Sequence, residues 1–211
     1  MRSRYPDKVI LENKSMEGER LELCGKNVRY YLGSNLTLRR CTLVLGMPSD
    51  LLHLAGARLM DCTIEIKRQL KEVRWYAAYL KGCRFTGHLF SCDFGHFPGY
   101  STLPCYSMGG IEDCDFTDAH LHACQFVGCN ASTLKLPRWP YFTLLEPYRR
   151  HREFASILWP REIRSWLTGF DEIPKATSAI TYSATAFAKK AGVSEDRLRA
   201  LVEGHSGIIY F

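Results

Sequence analysis

CDFTD-AHLHA-CQFVG-CNAST, residues 114–133, reads in fives. The first position of each five is small (Cys114, Ala119, Cys124, Cys129), and the third is apolar (Phe116, Leu121, Phe126, Ala131). A helix repeats its inward residues every 3.6 positions and a simple strand every 2.0, so neither explains this spacing. Outward from this stretch, the same pair of a small Cys, a spacer and a large apolar residue recurs. Cys41-Thr-Leu43, Cys62-Thr-Ile64 and Cys83-Arg-Phe85 stand 21 positions apart, Cys92-Asp-Phe94 follows, and Cys114-Asp-Phe116 lies 31 after Cys83. A repeat near twenty residues is one coil of a solenoid, each coil burying its apolar face on its neighbours. Four sides of five residues make the coil. One small and one large inward residue per side fill a narrow interior without voids.

These dyads resemble those of the pentapeptide-repeat proteins, whose motif is Ala or Cys, a spacer, then Leu or Phe. The resemblance implies a right-handed, four-sided β-helix. It is strict over residues 114–131 and degenerate over roughly 21–131, with Leu21-Glu-Leu23, Val28-Arg-Tyr30 and Leu36-Thr-Leu38 as early rungs. The expected fold is mainly β with α: a short, irregular solenoid over residues 1–133, then a crossing segment and helical cap over 134–211. Two stretches rich in Gly, Pro and Ser, 46–60 and 95–112, read as loops bulging from the coil. Residues 66–79 read as a strand pair or a short helix.

After Cys129 the grammar changes. Residues 134–147 hold three prolines with Trp139, Tyr141 and Phe142, which suits a packed, non-repetitive crossing segment. Helical signals follow. Pro147 opens one helix with Phe154, Ile157 and Leu158 on a stripe, and Pro160 opens a second that stops at Gly169. An Ala-rich third runs over 176–192 and ends at Gly192. The fourth starts at Ser194 with Glu195 and Asp196 in its first turn, and Ile208 to Phe211 forms a last strand or docked tail. The exposed end of a repeat tower needs covering, and this segment supplies the cover.

Of 211 residues, 46% are hydrophobic and 24% charged, which excludes a disordered chain. No apolar run is long enough to span a membrane, and the N-terminal stretch carries no apolar core of a secretory signal, so the chain is expected to be cytoplasmic. Nine cysteines, an odd number without any CxxC, fit neither a disulfide framework nor a zinc knuckle. The net charge of +6 is dispersed, and residues 36–134 carry nine basic and nine acidic residues. A neutral middle does not match the long acidic rods by which some pentapeptide-repeat proteins imitate duplex DNA.

Several groupings could carry chemistry. His88, Cys92 and His96, and His120, His122 and Cys124, are close enough in sequence to suggest metal. The cysteines of both sets already serve as inward residues, and their histidines fall at spacer positions that point to solvent, so no metal is expected. A nucleophilic cysteine needs a stabilised thiolate, which an apolar stack denies. Only Cys24 and Cys105 escape the dyad rule, no catalytic residue or cofactor emerges, and the chain is not expected to be an enzyme. Residues 186–204 have the cadence of a helix-turn-helix. Glu195 and Asp196 put two carboxylates where a recognition helix meets phosphate, so specific nucleic acid is not expected.

A rigid tower with decorated loops serves as a binding surface. Short pentapeptide-like chains with a helical tail resemble immunity proteins of bacterial polymorphic toxin systems. That resemblance implies a bacterial, cytoplasmic protein that binds a cognate toxin domain and occludes its active site. A scaffold or adaptor, and behind it a nucleic-acid-associated regulator acting through the C-terminal helix pair, stay open. The expected partner-binding residues are the outward spacers Asp113, Asp115, Asp118, His120 and His122, with His96, Phe97, Tyr100 and Tyr106 of the 95–112 loop as aromatic anchors.

Overall fold

In the computed structural model, which describes residues 7–100 and 107–211, the dyads stack into parallel ladders. The chain climbs through about four turns of solenoid. Strands β1 (Asp7–Leu11), β2 (Ser15–Glu17) and β3 (Arg20–Leu23) open it. On them lie β4 (Val28–Leu32), β5 (Thr37–Arg39) and β6 (Thr42–Leu45), then β7 (Leu52–Leu54), β8 (Ala57–Met60) and β9 (Thr63–Ile66). Pairing follows the repeat: Leu38 opposes Leu59 and Leu59 opposes Leu80, while Leu43 opposes Ile64 and Ile64 opposes Phe85. The next coil contributes β10 (Leu70–Lys71), β11 (Ala78–Lys81) and β12 (Arg84–Phe90).

Strand β12 serves two ladders. Arg84–Thr86 pair with β9, and Leu89–Phe90 pair with β10. The bend between them falls at Gly87, with φ +93°. A Cβ there would lie 2.1 Å from the carbonyl oxygen of Ile66, so only glycine turns this corner. Strands β13 (Asp93–Gly95), β14 (Gly110–Glu112), β15 (Ala119–His122) and β16 (Cys124–Val127) complete the tower. The excursion between β13 and β14 lengthens the repeat, so Leu80 opposes Ile111 and Leu89 opposes Leu121.

The strict stretch behaves as its periodicity predicts. Cys114, Phe116, Ala119, Leu121, Cys124 and Phe126 are all buried in one interior shared with Leu36, Leu38, Cys41, Cys62 and Cys83. Every described cysteine of the dyads follows a left-handed residue. Arg40, Asp61, Ser91, Asp113 and Ala123 have φ between +51° and +54°, and they precede Cys41, Cys62, Cys92, Cys114 and Cys124. The turn aims the next side chain inward and two carbonyls toward it. Cys62 Sγ donates to the carbonyls of Met60 at 3.3 Å and Leu38 at 3.4 Å. Cys83 repeats this on Lys81 at 3.5 Å and Leu59 at 3.3 Å, and Cys124 does so on His122 and Leu89. The thiol is thus a small apolar residue that also carries a donor.

Several expectations are corrected. Residues 46–60 are not a loop: they hold β7 and β8, with Leu52, Ala57 and Leu59 buried, because their Gly and Pro sit at corners of the coil. In the 95–112 stretch, Gly95 closes β13 and Gly110–Glu112 rejoin the ladder as β14. Residues 66–79 contain β10 and a 3-10 turn at Trp75–Ala77, whose Trp75 is buried. The Ala-rich segment over 176–192 is a strand first, β18 (Thr177–Ser183), and only then a helix, α3 (Ala184–Ala191). Thr, Ile and Tyr alternate well on a pleat.

Strand β18 ties the cap to the tower. It pairs antiparallel with β16 on one side and with β17 (Tyr141–Leu145) on the other, and β17 pairs with β19 (Ile208–Ile209). This sheet divides two interiors: Ala179 faces the tower, while Ile180 and Tyr182 face a second cluster with Phe142, Phe154, Trp159, Phe187 and Leu198. Helices α1 (His151–Ser156) and α2 (Arg161–Thr168) precede β18, and α4 (Glu195–Val202) follows α3. Leu158, expected on an inward stripe, is 79% exposed, because α1 ends at Ser156 and the chain turns outward. Ser183 and Ser194 cap α3 and α4 with their hydroxyls, and Gly192 ends α3 in the left-handed region. Among the described residues no helix is long and apolar enough to cross a membrane.

Candidate functional site

The outward residues of the last coil divide into three environments. Asp113 is an exposed left-handed corner whose N–H donates to Thr133 Oγ1 at 3.3 Å. Asp115 and Asp118 are not free carboxylates. Asp118 pairs with Arg84, and Asp115 lies 4.0 Å from Lys135 while its Oδ1 accepts the Thr117 N–H at 2.9 Å. Burial alone would raise the Asp115 pKa. The Thr117 bonds, Lys135 and Arg84 outweigh it and hold the carboxyl below the usual range. The acidic rungs are therefore paired with cations from neighbouring coils, and they form a mixed-charge edge rather than an acidic patch.

His120 is exposed and stacks on His88, ring centroids 4.2 Å apart, while its Nδ1 meets the Tyr141 hydroxyl at 2.7 Å. Partial burial, reinforced by the His88 ring, lowers its pKa. His122 is the correction: it does not point to solvent. Its ring packs 5.0 Å from Phe187 and 5.8 Å from Trp166, and Nδ1 accepts the N–H of Ser183 at 3.1 Å. Strand β18 and helix α3 cover this side of β15, and that covering is not written into the repeat. Burial, with Lys190 nearby, pushes the His122 pKa down to about 4.

The loop residues lie elsewhere. His96 is half-buried and donates its N–H to Val127 at 2.8 Å, at the end of the β13–β16 ladder. Phe97 is half-buried with its ring 4.4 Å from that of Tyr76. Tyr100 closes a 3-10 turn over Pro98–Tyr100, and Tyr106 lies outside the described residues, as does Cys105. The structure therefore joins Asp115, Asp118 and His120 on one edge and leaves His96 and Phe97 on a different face. Of the two His/Cys groupings, Cys92 and Cys124 point into the interior while His88 and His120 point out. Cys24 is exposed, with its Sγ 3.8 Å from the Val44 carbonyl.

What Asp118 and His120 border is a groove between the last coil and the cap. One hollow of 370 Å³ is lined by Asp118, His120, Trp139 and Tyr141, and a second of 440 Å³ by Leu134, Lys135, Leu136 and Phe211. Both are lined by Thr117 and Arg138, so the two hollows adjoin. Arg199 lies 5.6 Å from the Trp139 ring, and Trp139 N–H donates to the Phe211 carbonyl at 2.9 Å, which fixes the far wall. Phe211 is 68% exposed. Burial raises the Tyr141 pKa, so its hydroxyl stays protonated as a hydrogen-bonding group. Sequence reasoning treated 134–147 as a crossing segment and missed this wall. The close spacing of Arg138, Trp139 and Tyr141 among prolines was the available signal. Comparison of the chain with family models, curated proteins and solved structures finds no significant match.

Proposed function

We propose that this protein is a non-catalytic binding protein, specifically an immunity protein that holds a cognate bacterial toxin and occludes its active site. The observation that carries the reading is the pair of adjoining hollows that make the groove between tower and cap, with Trp139, Tyr141 and Phe211 as aromatic contacts and Asp118, Lys135 and Arg138 at the margin. Amphipathic rings at a preformed concave surface are the residues that dominate protein interfaces, and a mixed-charge rim fixes register and speeds encounter. The walls are set by a packed solenoid and a hydrogen-bonded sheet, so little ordering cost attends binding. The helix pair α3–α4 favours a regulator less, since Glu195 and Asp196 occupy the first turn of α4.

The test is co-expression with a large toxin-like open reading frame adjacent to this gene, and the absence of one would favour the scaffold reading. The expected result is protection of the cells and a stable complex. Asp118→Arg combined with Phe211→Ser, both at exposed positions, should weaken that complex at least tenfold with unchanged melting. Protection and affinity that survive this double change would remove the groove as the interface. A complex without protection would favour the scaffold reading.

A further inference from the structure

A separate cavity of about 560 Å³ opens where the Asn130–Ser132 turn, the end of β17 and the start of α1 meet, and it shares no lining residue with the groove. Its wall brings together Arg149, Arg150 and Lys175. Arg150 is held in place: Nη1 donates to Glu153 at 2.9 Å and to Ser206 Oγ at 3.3 Å, and its backbone N–H donates to the Glu146 carbonyl at 3.0 Å. Glycine at 207 leaves room for this placement, since a Cβ there would lie 2.7 Å from Arg150 Cδ. Among the described residues the buried Arg150 Nε has no partner, which leaves an uncompensated donor on a fixed guanidinium. Lys175 is positioned by the ring of Tyr148, 5.6 Å away. Arg149 bonds Glu146 at 2.7 Å and is 74% exposed, so most of its fork remains open to the cavity mouth.

Three cations meet two carboxylates here, Glu146 and Glu153, and both carboxylates are already engaged. The rest of the wall is mixed: Leu145, Ala131 and Ile209 give an apolar strip, and Asn130, Ser132, Thr177 and Ser178 are polar. Guanidinium forks match phosphate oxygens in pairs, and an apolar strip rewards a ligand that carries a hydrocarbon body beside its anion. The volume is that of ordinary small-molecule sites. We infer that this cavity binds an organic phosphate monoester, the phosphate taken by Arg149, Arg150 and Lys175 and the organic part laid on Leu145 and Ile209. The inference stands apart from toxin binding and does not depend on it.

Isothermal calorimetry at low salt with phenyl phosphate, inorganic phosphate and phenol tests it. Phenyl phosphate should bind, inorganic phosphate at least tenfold more weakly, and phenol not detectably. Arg149→Ala with Lys175→Ala, both at exposed positions, should lower phenyl phosphate affinity tenfold or more with unchanged melting. Arg150→Lys keeps the charge and loses the fork, and it should lower affinity severalfold. Failure of phenyl phosphate to bind at millimolar concentration, equal binding of phenol, or unchanged affinity in the double variant would each overturn the assignment.

Discussion

In the tower, Phe85, Phe94, Phe116 and Phe126 contact one another at ring separations of 4.6 to 5.6 Å, and each comes from an equivalent inward position of a coil. In the cap, Phe142, Trp159, Tyr182 and Phe187 meet at 5.1 to 6.3 Å, but they come from two strands, a loop and a helix with no common period. Both regions bury aromatic side chains equally well. In the tower one local rule places each ring on its neighbour, and a coil touches only the coils beside it. In the cap each ring is placed by a different element, so its position depends on the whole assembly.

The largest effect that can break this comparison is a cavity in the ring stack. Phe116→Ala should cost about 3–5 kcal/mol in denaturant unfolding, because the adjoining rings are locked by their own ladders and cannot collapse into the gap. Since β16 and β18 join tower and cap in one sheet, hydrogen exchange should show both regions losing protection together. A loss under about 1 kcal/mol would mean that the solenoid interior is loosely packed.

The same contrast explains what could be read from the residues. Cys114, Phe116, Leu121 and Phe126 announced their burial because the repeat fixes the direction of each side chain. Residues 46–60 were misjudged because Gly46, Pro48 and Gly56 mark corners in a coil just as they mark loops in other folds. Strand β18 was hidden by the Ala-rich helix that follows it, and His122 by strand and helix packing from some sixty residues away, which no local pattern carries. The site was half legible: Asp118 and His120 stand at the groove. Its other wall, Trp139 and Tyr141, belongs to the aperiodic region, and the Arg84 partner that neutralises Asp118 comes from another coil.

Two tower residues, Asp93 within the coils and His122 under the cap, titrate with opposite signs. Burial raises the Asp93 pKa to about 6 against the pull of Arg74, whereas burial lowers the His122 pKa to about 4. The folded state holds a proton on Asp93 that the unfolded chain has released, so this group's contribution falls as pH rises from about 4 to 6. The folded state refuses a proton on His122 that the unfolded chain accepts. That contribution is complete above about pH 6.5 and is lost as pH falls toward 4. Each term is worth roughly 2 kcal/mol after allowance for partial solvent access, so they largely cancel in the native protein. Asp93→Asn should make stability rise more steeply with pH between 4 and 6, and His122→Asn should make it rise less steeply, as read from urea midpoints. Parallel profiles in all three proteins would mean that neither group is buried as described.

A smaller change asks what the tower cysteines contribute. If they were only small hydrophobes, Cys83→Ala would be better tolerated than Cys83→Ser. The carbonyls of Lys81 and Leu59 within reach of its Sγ give the opposite order. Alanine should cost about 1–2 kcal/mol and serine less, since serine keeps a donor for the same oxygens. Its thiol is pushed up to about 12, first by the neighbouring Cys114 thiol and then by burial, so alkylation of the native protein should be slow there and fast at exposed Cys24. Serine proving worse than alanine would reduce the thiol ladder to packing alone.

The smallest effect concerns the corners, where the tower accepts a conformation the cap rarely uses. Ser91 precedes Cys92 with φ +52°, and its N–H donates to the His122 carbonyl at 2.9 Å, so the backbone rather than the side chain makes the corner. A non-glycine residue in the left-handed region costs about 1 kcal/mol. Glycine removes that cost, but it loses roughly 0.5–1 kcal/mol through the greater freedom of the unfolded chain. Ser91→Gly should therefore change stability by no more than about 0.5 kcal/mol, toward stabilisation. Ser91→Val should destabilise by at least 1 kcal/mol, because a β-branched residue fits this region poorly. The difference between the two variants isolates backbone geometry from side-chain contacts. If glycine were as damaging as valine, the Ser91 hydroxyl would be holding the corner, and the left-handed turn would cease to be the common device behind each inward cysteine.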